Sequence, residues 1–316
     1  MQINLGKRAN LLKSFNSLAK PGMPRFGKRV ALFEHILDGM EHKRLVGMKG
    51  LNIAGKTSVC LDVQTALEAE GHSVIFEQMV RNFSDNDNLL QADAIIFDEA
   101  TKLIHKITDG VNPLEQPKIE AFFALLANLQ AKSKPVFVSY HPIIGATDYL
   151  EQEFGIQSEI ISSRLTQEAL QSLLTLPFID TGISLSQATI SRVIELSGGI
   201  ILMFNTIVRD LLRNVPLNKK ETATIDREPS YLDFLGCIEY YEQLCSRKLS
   251  TRGLEIMRLA ATGALQPQHL VEYKNEIEML KKLDLWDEGN AIPFPFKVMY
   301  NEQVRMQLLE LAANQN

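Results

Sequence analysis

Cysteine is scarce and unpatterned: Cys60, Cys237 and Cys245 are the only three. The odd number, with no C-x-x-C pair and no Cys/His spacing, excludes a disulfide framework and a structural zinc site, and a reducing, cytoplasmic setting is expected. Long apolar runs are missing too. None reaches the ~18 residues of a membrane helix; the longest candidate, Ile200-Ile-Leu-Met-Phe204, is soon followed by Arg209 and Asp210. The first residues lack the apolar centre of a secretory signal, because Lys13, Asn16 and Ser17 interrupt it. The net charge of −5 gives no whole-chain field toward nucleic acid or an anionic membrane. Acid is absent locally, however. Residues 1–33 carry Lys7, Arg8, Lys13, Lys20, Arg25, Lys28 and Arg29 with no Asp or Glu.

What is present describes an ordinary globular chain: 316 residues, 45% hydrophobic and 22% charged, with a length that suggests two or three domains. The basic segment 1–25 ends in the breaker cluster Lys20-Pro-Gly-Met-Pro24 and reads as an N-terminal arm. Helical spacing follows over 29–41. From there to Leu165 short β-branched runs at 44–48, 72–79, 94–98, 135–140 and 158–162 alternate with helical stretches at 56–70, 85–91 and 114–133. Such alternation predicts an α/β core, a parallel sheet with crossover helices, spanning 26–165. After Leu165 the strands stop. Helices are expected at 166–174, 186–197 and 200–213, with 214–230 an exposed polar connection, so that 166–230 forms a small helical segment. The last unit, 231–316, reads as helices at 231–246, 250–262, 267–272, 274–283 and 301–313 around a short apolar segment, 291–300.

Residues 50–57 spell Gly-Leu-Asn-Ile-Ala-Gly-Lys-Thr, a complete G-x-x-x-x-G-K-[ST] phosphate-binding loop between a strand and a helix. Gly50, Leu51, Asn52, Ile53, Ala54 and Gly55 would wrap backbone amides around a polyphosphate. Lys56 would reach the β/γ-phosphates, Thr57 would ligate Mg²⁺, and Ser58 begins the helix behind them. The strand Ile95-Ile-Phe-Asp98 ends in an acidic pair. Asp98 is the expected Mg²⁺ carboxylate, acting through water, and Glu99 the group that orients or deprotonates attacking water. ATP or ADP with Mg²⁺ is the expected cofactor. Ser139 and His141, at the end of the following strand, are candidates for contact with the γ-phosphate or the water, His141 being equally readable as a turn residue before Pro142. Arg164 and Arg209 are candidate charge stabilisers for a nucleotide in this or a neighbouring subunit, or else ordinary ion-pair partners.

Together these residues resemble the AAA+-like and STAND P-loop ATPases related to origin-recognition and archaeal ATPase proteins, over about 26–307. The resemblance begins at Phe26-Gly27-Lys28-Arg29 and runs through the phosphate loop, the Asp98-Glu99 pair and Ser139. It continues through Glu159 to Glu168 and the glycine signature Ile194-Glu-Leu-Ser-Gly-Gly199. It implies that 166–230 is a helical lid and 231–316 a winged-helix domain, with Arg252 to Ala260 its first helix and Glu276 to Trp286 the helix and strand before the wing. Ile200-Ile201-Leu202 stand where the family has a proline or an arginine, which leaves Arg209 as a substitute. Two readings stay open. One is an ATPase switch whose nucleotide state controls self-assembly through the core, or engagement of a protein or DNA partner. The other is an adaptor that holds nucleotide as a structural element. The winged helix would contact a protein or pack as a switch element, and the basic arm would meet DNA or a neighbouring subunit. No membrane partner is expected.

Overall fold

The computed structural model describes residues 3–11, 15, 28–42, 45–51, 54–78, 86–100, 116–140, 151–213, 215–219, 221–246 and 249–315. The chain divides into two compact units, Ala19–Ile161 and Met1–Leu18 with Ser162–Asn316.

The first unit is built on five parallel strands, β1 (Leu45–Lys49), β2 (Val74–Gln78), β3 (Ala94–Asp98), β4 (Val136–Tyr140) and β5 (Gln157–Ile160), in the order β2-β3-β4-β1-β5. Helices α1 (Lys28–Glu41), α2 (Lys56–Ala69), α3 (Asn86–Gln91) and α4 (Gln116–Ala131) make or flank the crossovers. The central strands are apolar on both faces because both faces are covered. Ile95, Phe97, Val136 and Val138 point one way, against Phe122, Leu125, Leu126 and Leu129 of α4. Their alternates Ala94, Ile96 and Phe137, with Val46 and Met48, point the other way, against Ile36 of α1 and Val59, Cys60 and Val63 of α2. Gly47 has to be small: a Cβ there would strike Ser158, Ile156 and the Tyr140 ring hydroxyl.

The second unit is mainly helical: α5 (Gln167–Thr175), α6 (Gln187–Ser197), α7 (Ile201–Arg213), α8 (Tyr231–Ser246), α9 (Thr251–Ala261), α10 (Pro267–Glu272), α11 (Lys274–Lys282), α12 (Phe294–Tyr300) and α13 (Glu302–Ala313). Side chains cap the first turns as the sequence suggests, with Thr166, Ser186 and Ser250 accepting from Ala169, Thr189 and Gly253 amides. Strands do not stop at Leu165. β6 (Ile183–Leu185) and β7 (Ala223–Ile225) pair in parallel, and β7 runs through the stretch expected to be an exposed connection. Three-residue strands are too short for a period-2 pattern to show.

The strand and wing expected near Trp286 are also absent as strands among the described residues. One antiparallel bridge, Asp287 to Ala291, stands in their place, and 294–300 is helix. Pro293 and Pro295 lack the N–H a ladder needs, and suit a helix start instead. Residues 3–11 and 15, expected in a basic, partly helical arm, pack within this second unit. The Asn4 side chain caps a short helix, Leu5–Ala9, and Phe15 lies 6.0 Å from Phe178 and 6.2 Å from Phe204, centroid to centroid. No described helix is long and apolar enough to cross a membrane.

Candidate functional site

The carboxyl ends of β1, β3 and β4 bring the sequence-predicted residues together. The Gly50 N–H donates to the Tyr140 carbonyl at 3.1 Å, so the phosphate loop leaves β1 pinned to the end of β4. A Cβ on Gly50 would run into Ile161. The Ala54 N–H reaches back to the Leu51 carbonyl at 3.3 Å, and Gly55, at φ 92°, turns the chain into α2. That left-handed backbone costs glycine least, since it has no Cβ. Leu51 and Ala54 are buried; Asn52 and Ile53 lie outside the described residues. Ser58, in the first turn of α2, is buried.

Lys56 is 5% exposed, and its ammonium donates to the Gly50 and Leu51 carbonyls, each at 2.9 Å. The charge therefore sits under the loop's own backbone. Next to it, the Thr57 hydroxyl donates to Asp98 Oδ2 at 2.7 Å. Asp98 is fully buried at the end of β3, and its other oxygen, Oδ1, accepts from the Ser139 hydroxyl at 2.5 Å and from the Cys60 thiol at 3.7 Å. Three neutral donors from α2 and β4 thus converge on one carboxylate, an arrangement that makes a buried charge tolerable. Burial, and then the Asp98 charge, push the Cys60 thiol well above its ordinary value, so it remains a donor. Cys60 escaped the sequence reading, although its spacing three residues from Thr57 places both on one helix face.

Glu99 follows with φ 58°, a left-handed conformation rare for a glutamate, and is partly exposed. Its N–H donates to the Ser139 hydroxyl at 3.1 Å, and the Ala100 N–H donates to the Ser139 carbonyl at 3.0 Å. Ser139 is itself fully buried, turned toward Asp98 and Glu99. His141 and the Phe26-Gly27 pair lie outside the described residues, as do the side chains of Lys28 and Arg29.

The remaining candidates belong to the second unit. Arg164 is committed within it: Nε donates to the Gly198 carbonyl at 2.6 Å, and Nη1 meets Asp287 Oδ1 at 2.6 Å and the Asp284 carbonyl at 3.4 Å. It clips the glycine turn after α6 to the segment after α11. Gly198 (φ 53°) and Gly199 (φ 85°) make that turn, and a Cβ on Gly199 would lie 2.8 Å from the Leu165 carbonyl. Arg209 is exposed on α7.

Two basic residues of the N-terminal segment are likewise engaged. The Arg8 guanidinium is fully buried and donates to the carbonyls of Thr181 (3.3 Å), Glu221 (2.6 Å) and Pro216 (2.9 Å). Lys7 pairs with Asp180 at 3.1 Å.

Among the described residues no group of three or more His, Cys, Asp or Glu could hold a metal ion. Thr57 and Asp98 nonetheless bring two oxygens 2.7 Å apart beside the loop, the hard donor type that suits Mg²⁺ alongside substrate phosphates. The arrangement therefore fits a nucleotide-borne divalent ion.

The sheet order, the loop after β1 and the acid at the end of β3 define the fold of the P-loop ATPases. Solved structures share it. A Walker-type ATPase of Pyrococcus abyssi is similar over 90% of this chain and 98% of its own, with a TM-score of 0.56 and 14% identity. The ORC2 protein of Aeropyrum pernix, in ADPNP and ADP complexes, is similar over 95% of this chain and 98% of its own, with a TM-score of 0.51 and 13% identity. No protein-family model and no curated protein matches the chain.

Proposed function

We propose that this chain binds ATP and hydrolyses it slowly, as a molecular switch whose nucleotide state controls self-assembly or its hold on a partner. The single observation that carries the reading is the hydrogen-bonded set at the strand ends: Lys56 under the loop, Thr57 on Asp98, and Glu99 beside them on a turned backbone. Lys56 would exchange the loop carbonyls for phosphate oxygens. Thr57 and Asp98 would hold Mg²⁺, which when bound neutralises charge on the β- and γ-phosphates. Glu99, partly exposed, would orient a water and take its proton. The nucleotide complexes named for the Aeropyrum ORC2 structure support the same ligand class.

Phosphate release by the wild type beside Glu99→Gln, with oligomeric state recorded with and without Mg-ATP, tests this. We expect turnover in the wild type alone and retained ATP binding in the variant. Equal turnover in both removes Glu99 from the role of base.

One observation favours a second reading, an adaptor with structural nucleotide. Arg164 is tied to Gly198 and Asp287, which leaves Arg209 as the candidate for a lid arginine. Bound nucleotide with no phosphate release and a fixed oligomeric state would select that reading. DNA binding by the N-terminal segment would have to work without Lys7 and Arg8, and salt-dependent DNA retention tests it.

A further inference from the structure

We infer that Ser139 is a positioning residue: it holds Glu99 in its left-handed conformation and does not contact the nucleotide's phosphates. The inference builds on the proposed role of Glu99.

A serine hydroxyl has one hydrogen to donate and two lone pairs to accept with. Here the hydrogen is directed to Asp98 Oδ1 at 2.5 Å, and the oxygen accepts the Glu99 N–H at 3.1 Å. A γ-phosphate is an acceptor and needs a donor, and this hydroxyl has none left to give. Its burial agrees, since Ser139 is fully enclosed.

The same residue accounts for the unusual backbone beside it. Asn and Asp reach the left-handed region by bonding their own main chain; Glu, with a longer side chain, has no such local help. At φ 58° Glu99 needs an external restraint. Ser139 supplies it twice, through its hydroxyl to the Glu99 N–H and its carbonyl to the Ala100 N–H. The strand therefore stops at Asp98, and the next residue is turned out of the strand path toward solvent. One side chain on β4 fixes both members of the acidic pair. It keeps Asp98 aligned with Thr57, and it sets the direction in which Glu99 leaves the sheet.

Two variants and a cycle test this. In Ser139→Ala the Glu99 amide should exchange faster with solvent while the Ala100 amide, held by a main-chain carbonyl, keeps its protection, and kcat should fall at least about tenfold, with the ratio of ATP to ADP affinity unchanged. Ser139→Thr, which keeps the hydroxyl, should restore both amide protection and turnover. Independently of turnover, Glu99→Gly relieves the left-handed backbone and should raise the melting midpoint of the otherwise native chain by about 2 °C or more. In the Ser139→Ala background that gain should shrink, because the hydroxyl's hold on the Glu99 N–H is already gone.

A selective loss of ATP over ADP affinity in Ser139→Ala would mean that the hydroxyl touches the γ-phosphate and would overturn the inference. So would an equal effect of Glu99→Gly in both backgrounds. If the wild type releases no phosphate, the ATPase reading fails, while amide exchange and the stability cycle still decide what Ser139 does.

Discussion

The two units bury polar side chains in different ways. In the sheet unit the buried carboxylate of Asp98 is met by side-chain donors, Thr57, Cys60 and Ser139, carried on two elements that flank the phosphate loop. In the helical unit the buried guanidinium of Arg8 is met by main-chain carbonyls, those of Thr181, Pro216 and Glu221. Asp210, also buried there, mixes the two: its carboxylate accepts the Ser230 N–H at 2.7 Å and pairs with the Arg227 guanidinium at 3.7 Å. Of the donors to Asp98, the Thr57 hydroxyl can rotate at little cost and be traded for a ligand. The carbonyls around Arg8 come from separate segments of the helical unit and release it only if those segments part. The difference suits a sheet unit that exchanges partners and a helical unit whose charges act as fasteners.

Substitutions can break or sharpen this contrast. The largest expected effect is Lys56→Ala, which should weaken nucleotide binding by about a hundredfold or more, roughly 3 kcal/mol, in a calorimetric titration. Unchanged affinity would show that the sheet unit's buried cation is a fastener too. Arg8→Ala leaves buried carbonyls without their donor, and should cost the helical unit about 3 kcal/mol in denaturant unfolding with nucleotide affinity unaltered. Lys7→Ala, on the neighbouring half-exposed ion pair with Asp180, serves as the control and should cost under ~1 kcal/mol.

Alkali supplies a test of both units at once. Burial raises the Cys60 thiol well above the ordinary thiol range, and in the helical unit burial pushes Cys245 up to about 12. These groups bind protons more tightly folded than unfolded. Their contribution is therefore complete below pH 9 and declines as pH rises toward the folded values, at about 1.4 kcal/mol per pH unit for each thiol. Denaturation midpoints measured from pH 8 to pH 11 should fall. Cys245→Ala should flatten that fall while leaving the Cys60 share. The smallest effect is Asp287→Asn, which loosens the Arg164 clip. Asp287 is 45% exposed, so about 1 kcal/mol or less is expected, read as faster amide exchange at Gly199 and Asp287.

Legibility in the sequence followed the same divide. The strands at 94–98 and 136–140 and the helices at 56–69 and 231–246 show in the pattern because each carries its apolar period within one continuous stretch. The loop at 50–57 and the pair at 98–99 are readable because their chemistry depends on residues adjacent in the chain. β6 and β7 are too short to carry a period, and their paired residues lie 40 positions apart in the chain. The fate of Arg8 and Arg164 depends on partners 173 and 123 residues away, and no local window contains both ends.

The sequence by itself determined that a parallel sheet would carry a phosphate loop and an acidic pair at its carboxyl edge, since backbone geometry and local spacing dictate both. Only the tertiary structure decided which polar groups became fasteners. It turned a basic N-terminal segment into part of the helical unit, made Arg164 a clip, and turned Ser139 toward Asp98 and Glu99. A charge or hydroxyl bonds whatever donor or acceptor burial brings within about 3 Å, and that neighbour is a property of the folded chain.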